Sequence, residues 1–208
     1  PESYKLVENA NGEKIVVGPG IILSDFDLTD CDLRDVDLSD CDLAGCDLRG
    51  AIVDESTKLP EGYKILQNQS GDQIIVGPGL ILEDSDLSGG DLRGLDLSAC
   101  NLTGCHLKDA IVDESTKLHK GYKILQNQNG DQIIVGSGLI LTDSDLRGVD
   151  LSACSITRCD LRTAIVDEFT KLPEGFKLVE NHKGEKIVVA DSLILRDCDF
   201  INSDLSDC

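Results

Sequence analysis

The chain has 208 residues, of which 39 are acidic and 19 are basic, so its formal net charge is −20. A field of this sign repels the phosphates of nucleic acids and anionic membrane surfaces, and it favours cations, basic protein surfaces or simple solubility. Aromatic residues make up 3% of the chain, with no Trp and no Met, so a core must be built from Leu, Ile, Val and small side chains.

A long repeat organises the chain from its first residues onward. Tyr4, Tyr63 and Tyr122 begin copies of one pattern at intervals of 59 residues. The third copy is shorter by one five-residue unit, which indicates that the fold is built from whole units of five residues. Because both ends fall inside a copy, we expect one continuous solenoid that is a piece of a longer repetitive protein. The expected units are residues 1–62, 63–121, 122–175 and the partial 176–208.

Each copy begins with a segment that predicts a β-hairpin. In the second copy two β-rich runs, Tyr63–Gln67 and Gln73–Val76, flank the turn Asn68-Gln69-Ser70-Gly71. The following Gly77-Pro78-Gly79 breaks the strand and redirects the chain. We expect the hairpins to protrude from a shaft and to act as lateral contact points. The residues that mark this candidate interaction surface are Tyr63, Asn68, Gly71, Tyr122, Asn129 and Gly130.

A five-residue period fills the rest of each copy. An aliphatic residue recurs at every fifth position from Leu23 to Val53, and the series returns from Leu82 to Val112 and from Leu141 to Val166. This period fits neither the roughly 3.6-residue period of a helix nor the two-residue period of a strand. It predicts a chain that turns a corner every five residues. Four such sides would close a square coil of about 20 residues, with successive coils about 4.8 Å apart.

Two of the five positions are predicted to face the interior of this coil. One is the central aliphatic residue, and the other, two residues earlier, is usually small; the residue between them is usually Asp. The large core positions include Leu33, Leu38, Leu43, Leu48, Leu92, Leu97, Leu102, Leu151 and Leu161. The small core positions include Cys31, Cys41, Cys46, Cys100, Cys105, Cys154 and Cys159.

The cysteines are interpreted as packing residues, with disulfides and metal binding as the alternatives. Cys198 and Cys208 occupy the same small position as the other seven, and thiols are compact groups that bury well. Cys41 and Cys46 would lie on different sides of the square, where a disulfide is disfavoured. The chain also has no CxxC pair of the kind that builds structural metal sites. We therefore expect no cofactor.

Tandem quintets such as Cys41-Asp42-Leu43-Ala44-Gly45, Cys46-Asp47-Leu48-Arg49-Gly50 and Gly90-Asp91-Leu92-Arg93-Gly94 resemble the pentapeptide-repeat family. The resemblance covers over half of the chain. It implies an all-β fold, a right-handed quadrilateral β-helix, here with one β-hairpin linker in each copy. These linkers depart from the plain family pattern and are similar to the linkers between quintet runs in some multi-repeat members.

The sequence favours a protein without catalytic activity. His106, His119 and His182 stand at different positions of the repeat without a recurring partner, whereas a catalytic residue is expected in a cleft beside a base or an orienting group. His106 stands where Asp usually stands, so we expect it on the surface. Phosphate-binding glycine loops, nucleophilic serine elbows and zinc-protease motifs are absent from the sequence.

The acidic positions leave cation binding open as an alternative to screened surface charge. Residues 20 apart, such as Asp27 and Asp47, are expected to stack on one side of the coil, where like charges repel each other. A bound cation or a neighbouring arginine would offset this repulsion. We expect the arginines that follow the central aliphatic residue to pair with Asp in adjacent coils. These arginines are Arg34, Arg49, Arg93, Arg147 and Arg162.

Two classes of function follow from these expectations. The favoured one is a structural or interaction protein, a rod-like shaft of a filament, fibre or surface assembly, whose partner is protein through self-association or continuation in a longer repeat chain. The alternative, which the resemblance implies, is an acidic DNA-mimicking protein that binds a topoisomerase such as gyrase. We expect no binding of nucleic acid and no membrane insertion, and we favour an extracellular, virion or cell-surface location over the cytoplasm.

Overall fold

A computed structural model describes residues 4–181 and 183–189 of the chain. This part is all-β and contains no α-helix, so none of it forms a helix of the length and apolarity that a membrane crossing needs. His182, Cys198 and Cys208 lie outside the described residues. The strands are β1 (Lys5–Glu8), β2 (Lys14–Val17), β3 (Lys64–Gln67), β4 (Gln73–Val76), β5 (Asp96–Leu97), β6 (Lys117–Leu118), β7 (Tyr122–Gln126), β8 (Gln132–Gly136), β9 (Lys177–Glu180) and β10 (Lys186–Val189).

The predicted hairpins are confirmed. Strands β1 and β2, β3 and β4, β7 and β8, and β9 and β10 each form an antiparallel pair. In the second hairpin Ile65 pairs with Ile75 and Leu66 with Ile74. The turn between these strands includes Gly71 at a φ of 91°, a backbone conformation that glycine adopts without steric cost.

Outside the hairpins the chain pairs with itself in parallel. The partners are 20 or 21 residues apart within a quintet run, which returns each quintet beside the quintet four places earlier. Where a hairpin intervenes the separation is larger, as between Asp47 and Ile81. Strands β5 and β6 belong to the same pattern, with Asp96 beside Lys117. The corresponding pairs of the first quintet run are Ile22 with Asp42, Asp27 with Asp47, Asp32 with Ile52 and Asp37 with Lys58.

Each quintet ends in a tight turn whose chemistry explains part of the repeat. In one example Cys46 N–H donates to Leu43 O at 3.1 Å, and the residue before Cys46 is Gly45 at a φ of 74°. Asp30 occupies the same position of an earlier quintet at a φ of 58°. Glycine, and less readily Asp, tolerate this left-handed conformation. The backbone conformation therefore restricts which residue types can occupy the second position after the central leucine.

The core is a series of leucines with small residues beside them. All nine leucines named above are buried. Six of the seven named cysteines are buried as well, whereas Cys154 is partly exposed and packs against the edge of the core. The rest of the core comes from further quintet residues such as Leu28, Leu87 and Leu146, from the valines that end the quintet runs, and from the hairpins.

The hairpins pack closely against the quintet runs, so the expectation that they protrude is wrong. In the second hairpin Leu66 and Ile75 point to opposite faces, and both are buried. The turn is held to the following run by Gln69 N–H, which donates to Ser88 O at 2.8 Å. The reason lies in the strands themselves, because consecutive apolar residues give the hairpin two apolar faces that both require cover.

Candidate interaction surface

The hairpin turn is fastened by a buried asparagine. Asn68 is only 5% exposed, and its Oδ1 accepts the Asp72 backbone N–H at 2.8 Å. Its Nδ2 donates to Asp86 O at 3.2 Å. Asn127 makes the same pair of contacts in the third copy, to Asp131 N–H and Asp145 O. The Asn68 side chain therefore organises the turn and is not available to a partner.

The predicted hairpin tyrosines also have structural contacts. Tyr63 is half-buried, and its hydroxyl donates to Pro78 O at 2.9 Å. Its ring lies against Gly77, as the Tyr122 ring lies against Gly136. Both rings are thus held at the base of their hairpins.

The remaining candidate residues lie on exposed turns. Gly71 and Gly130 have φ values of 91° and 93°. Asn129 is exposed, and its Nδ2 donates to Asp145 Oδ2 at 2.9 Å. Of the six residues predicted for the interaction surface, these three are the ones that the structure leaves accessible.

A groove lies between each of three hairpins and the neighbouring quintets. One groove has a volume of about 630 Å³ and lies between residues 49–53, residues 84–86 and the turn side of the β3–β4 hairpin. We call it the hairpin groove. A groove of about 540 Å³ lies between residues 161–168 and residues 184–188. The corresponding groove of the third copy is small, about 60 Å³.

The walls of the hairpin groove are apolar and acidic. Ile52 is 48% exposed on one wall, and Ile74 and Asp72 lie on the hairpin side. On the opposite wall Ser85 is 9% exposed, and its Oγ is buried without a hydrogen-bond partner among the described residues. Sequence reasoning missed this groove. The available signal was Ile52 itself, an aliphatic residue at the quintet position that is usually Asp.

The arginine ion pairs form within a quintet, so the expectation that they join adjacent coils is wrong. Arg34 Nη2 lies 2.8 Å from Asp32 Oδ2. Residues two apart on an extended segment share a face, which brings the two side chains together on either side of the buried Leu33. The same pairing joins Arg49 to Asp47, Arg93 to Asp91, Arg147 to Asp145 and Arg162 to Asp160.

Lysines instead provide ion pairs between segments that pair in parallel. Lys58 Nζ lies 2.9 Å from Asp37 Oδ2, and the two residues are partners in the parallel pairing. The Ser39 hydroxyl and the Lys58 ammonium both bond to Asp37, and they lower the pKa of this carboxyl to about 2. Equivalent pairs join Lys117 to Asp96 and Lys171 to Asp150.

The expected stacking of like charges is present without a metal cluster. Asp27 and Asp47 are parallel neighbours. The pKa of Asp27 is lowered chiefly by hydrogen bonds from the Thr29 side chain and backbone, with a smaller effect from Arg49. Within residues 4–181 and 183–189, no three His, Cys, Asp or Glu side chains are grouped so that they could hold a metal ion.

The buried thiols are protected from ionisation. Cys46 Sγ donates to Leu23 O at 2.7 Å, and Cys105 Sγ donates to Leu82 O at 2.9 Å. Burial raises the pKa of Cys46 to about 11 and that of Cys105 to about 12. Because the thiolate is the reactive form, these groups act as small packing residues with a weak donor. The seven described cysteines are all free.

The two described histidines have different environments. His106 is half-buried, with its Nδ1 3.5 Å from Asp86 Oδ1, and its Nε2 is buried without a partner in the described part of the chain. Its expected surface position is therefore wrong in part, because the following hairpin brings Ile140 alongside it. His119 is exposed and lies edge-on to the Tyr122 ring at 6.5 Å.

The comparison with known families also separates the quintets from the hairpins. A family model of pentapeptide repeats matches in eight copies, at residues 20–54, 81–116 and 137–165. These segments contain the quintet runs and leave the four hairpins outside. No curated protein matches the chain.

Proposed function

Because the chain belongs to the pentapeptide-repeat family, we propose that it winds into a right-handed quadrilateral β-helix and acts as a rod-like interaction shaft without catalytic activity. The parallel pairing of residues four quintets apart supports the coil, and the buried leucines supply a continuous core. The four repeat units, residues 1–62, 63–121, 122–175 and 176–208, stack in this proposal as one shaft. In such an assembly each unit buries its apolar faces against its neighbours.

The observation that carries the proposal is an exposed apolar face on the first hairpin. Leu6 and Val16 form a cross-strand pair and are 59% and 50% exposed. The corresponding pair of the second hairpin is Ile65 and Ile75, and Ile75 is only 2% exposed. The same face is thus covered in one copy and open in the other.

The second hairpin indicates what covers this face. Its other face, which carries Leu66, lies against Gly90 of the following quintet run. At its base Gly45 N–H donates to Gly79 O at 2.8 Å, which joins it to the preceding run. The open face of the first hairpin therefore matches the end of another repeat unit, either a preceding copy in a longer chain or a second molecule stacked end to end.

Sedimentation velocity and electron microscopy test this association. The chain should form rods whose length increases with protein concentration, and the double variant L6K/V16K should remain monomeric because it buries two charges at the contact. F169K is the matched control, since Phe169 is also an exposed apolar residue but lies in another repeat unit. Unaltered assembly of L6K/V16K would contradict the proposal.

The net charge of −20 favours a second candidate function, a DNA mimic that binds a topoisomerase such as gyrase. The packing of the hairpins along the quintet runs supports it, because a shaft without protrusions is closer to the profile of a duplex. A supercoiling assay with purified gyrase separates the two functions. Inhibition that weakens with rising salt would favour the mimic, and an unaffected enzyme would exclude it.

A further inference from the structure

The hairpin groove lies where the parallel pairing of extended segments is interrupted. Ile52 pairs with Asp32, and Asp86 pairs with His106, but within the described residues no bridge joins Ile52 to Asp86. On the neighbouring side of the chain the pairing continues across the same interval, from Asp47 to Ile81. The edges of two extended segments therefore face each other across a groove of about 630 Å³. Free strand edges of this kind accept an added strand.

The groove offers an apolar contact. Ile52 and Ile74 lie on its walls, and almost half of the Ile52 side chain is exposed. Ser85 Oγ is buried there without a hydrogen-bond partner. That oxygen has almost no accessible surface, so a ligand in the groove would meet the apolar wall formed by Ile52 and Ile74.

The charge in the groove is negative. Asp72 and Asp86 lie on its walls. Asp86 Oδ1 accepts the Ser88 backbone N–H at 3.0 Å, and His106 Nδ1 lies 3.5 Å from the same oxygen. Arg49 also lies on a wall, but its guanidinium is already paired with Asp47. The groove therefore matches a ligand that carries a positive charge.

In the third copy the equivalent carboxylate already has arginine and asparagine donors. Asp145, which corresponds to Asp86, accepts hydrogen bonds from Arg147 Nη2 at 2.6 Å and from Asn129 Nδ2 at 2.9 Å. The second copy has Ser88 and Ser70 at the positions of these two donors. The Asp86 carboxylate thus lacks the arginine and asparagine donors that its equivalent in the third copy has, and its contacts are the Ser88 backbone N–H and the His106 ring.

We propose that the hairpin groove of the second copy binds an extended basic peptide. The peptide backbone adds as a strand along residues 50–53, an aliphatic side chain of the peptide packs on Ile52, and a lysine or arginine of the peptide pairs with Asp86. This inference rests on the proposed function, in that it assigns a ligand class to one hairpin of the interaction shaft.

Fluorescence anisotropy with a short labelled peptide of alternating valine and lysine tests the proposal on the full chain. We expect saturable binding, and none of the corresponding valine–glutamate peptide. The double variant S70N/S88R copies the third-copy arrangement onto Asp86 and should weaken binding about tenfold, the effect of losing one charge-assisted hydrogen bond. I52N should weaken binding as well, and Asn101 shows that this quintet position accepts Asn.

The matched control is S39R, which adds the same charge after the central leucine of a quintet outside the groove. It should change the affinity by no more than about twofold, because surface charges are screened at physiological salt. The proposed binding site would be wrong if S39R weakened binding as much as S70N/S88R. It would also be wrong if I52N left binding unaltered or if no saturable binding occurred. A chain that assembles into rods but does not bind the peptide overturns this inference alone. A chain that binds the peptide and stays monomeric overturns only the proposed end-to-end association.

Discussion

The ring of Tyr63 lies so close to Gly77 that a β-carbon at residue 77 would come within 2.2 Å of Tyr63 Cδ1. The same relationship joins Tyr122 to Gly136, at 2.1 Å. The tyrosine hydroxyl then reaches the carbonyl of Pro78, so its ring cannot move away without losing that hydrogen bond. The glycine is needed for space at this position, and the contact fixes the hairpin base to the turn that follows it.

Gly77→Ala should therefore destabilise the protein. We expect a loss of about 1–3 kcal/mol in the free energy of unfolding, the usual cost of forcing an additional methyl group into a packed site. Urea denaturation followed by circular dichroism measures the change. Gly121→Ala is the control, because a β-carbon at Gly121 would meet nothing closer than 3.5 Å; an equal effect of both substitutions would show that the Tyr63 contact is unimportant.

Asn68→Ala should destabilise the second hairpin. The substitution leaves the Asp72 N–H and Asp86 O without their partner, and a buried unsatisfied group costs about 1–3 kcal/mol. Hydrogen exchange should show faster exchange in β3 and β4 than in the β7–β8 hairpin. Asn129→Ala, on an exposed turn, should change the unfolding free energy by about 0.5 kcal/mol or less. Uniform exchange across the two hairpins would contradict the assigned role of Asn68.

Acid should remove part of the stability through Asp37 and its equivalents. Hydrogen bonds from Ser39 and Lys58 lower the pKa of Asp37 to about 2 in the folded chain, from 3.8 for the free group. A depressed pKa contributes stability above the unfolded value, and this contribution is lost as the pH falls from about 4 to about 2. Denaturation series at pH 6 and pH 2 should show a smaller pH effect for Asp37→Asn. Asp40→Asn controls for the loss of one exposed carboxylate, and a pH effect unchanged in Asp37→Asn would refute this assignment.

The described thiols should differ in reactivity. In a background with Cys198 and Cys208 replaced by serine, a thiol reagent at pH 8 should modify Cys154 first, since it is the partly exposed cysteine of the described set. Cys46, Cys105 and the other buried thiols should react only after denaturant is added, because burial raises their pKa and blocks access. Mass spectrometry of tryptic peptides gives the order, and rapid labelling of Cys105 in the native chain would contradict the buried assignment.

The local features of the chain were predictable. The five-residue period and the Asn/Gly turns between β-rich runs led to an all-β protein of the pentapeptide-repeat family with hairpin linkers, and the structure and the family match confirm these points. The handedness and square section of the coil remain predictions, as do the unit boundaries. The five-residue period was sufficient to identify the family because similar residue types recur at each position of one repeated backbone turn.

Contacts between distant residues were predicted less well. Arg34 was assigned a partner in an adjacent coil, but its partner Asp32 is only two residues away on the same face. The hairpins were expected to project into solvent, but they pack because their strands are apolar on both faces. The groove beside Ile52 was not predicted at all, since it exists only where Asp86 fails to pair with Ile52 across the inserted hairpin.

Periodicity and turn chemistry are properties of neighbouring residues, and they were sufficient to identify the repeat, the hairpins and the residue types that line the core. The orientation of each hairpin, the groove beside Asp86 and the pairs that lysines form with Asp37, Asp96 and Asp150 depend on segments that meet only after folding. The hairpins of the second and third copies are nearly identical in sequence, yet Asp86 and Asp145 have different partners. Asn129 and Arg147 donate to Asp145, and the second copy has Ser70 and Ser88 at the positions of these two donors.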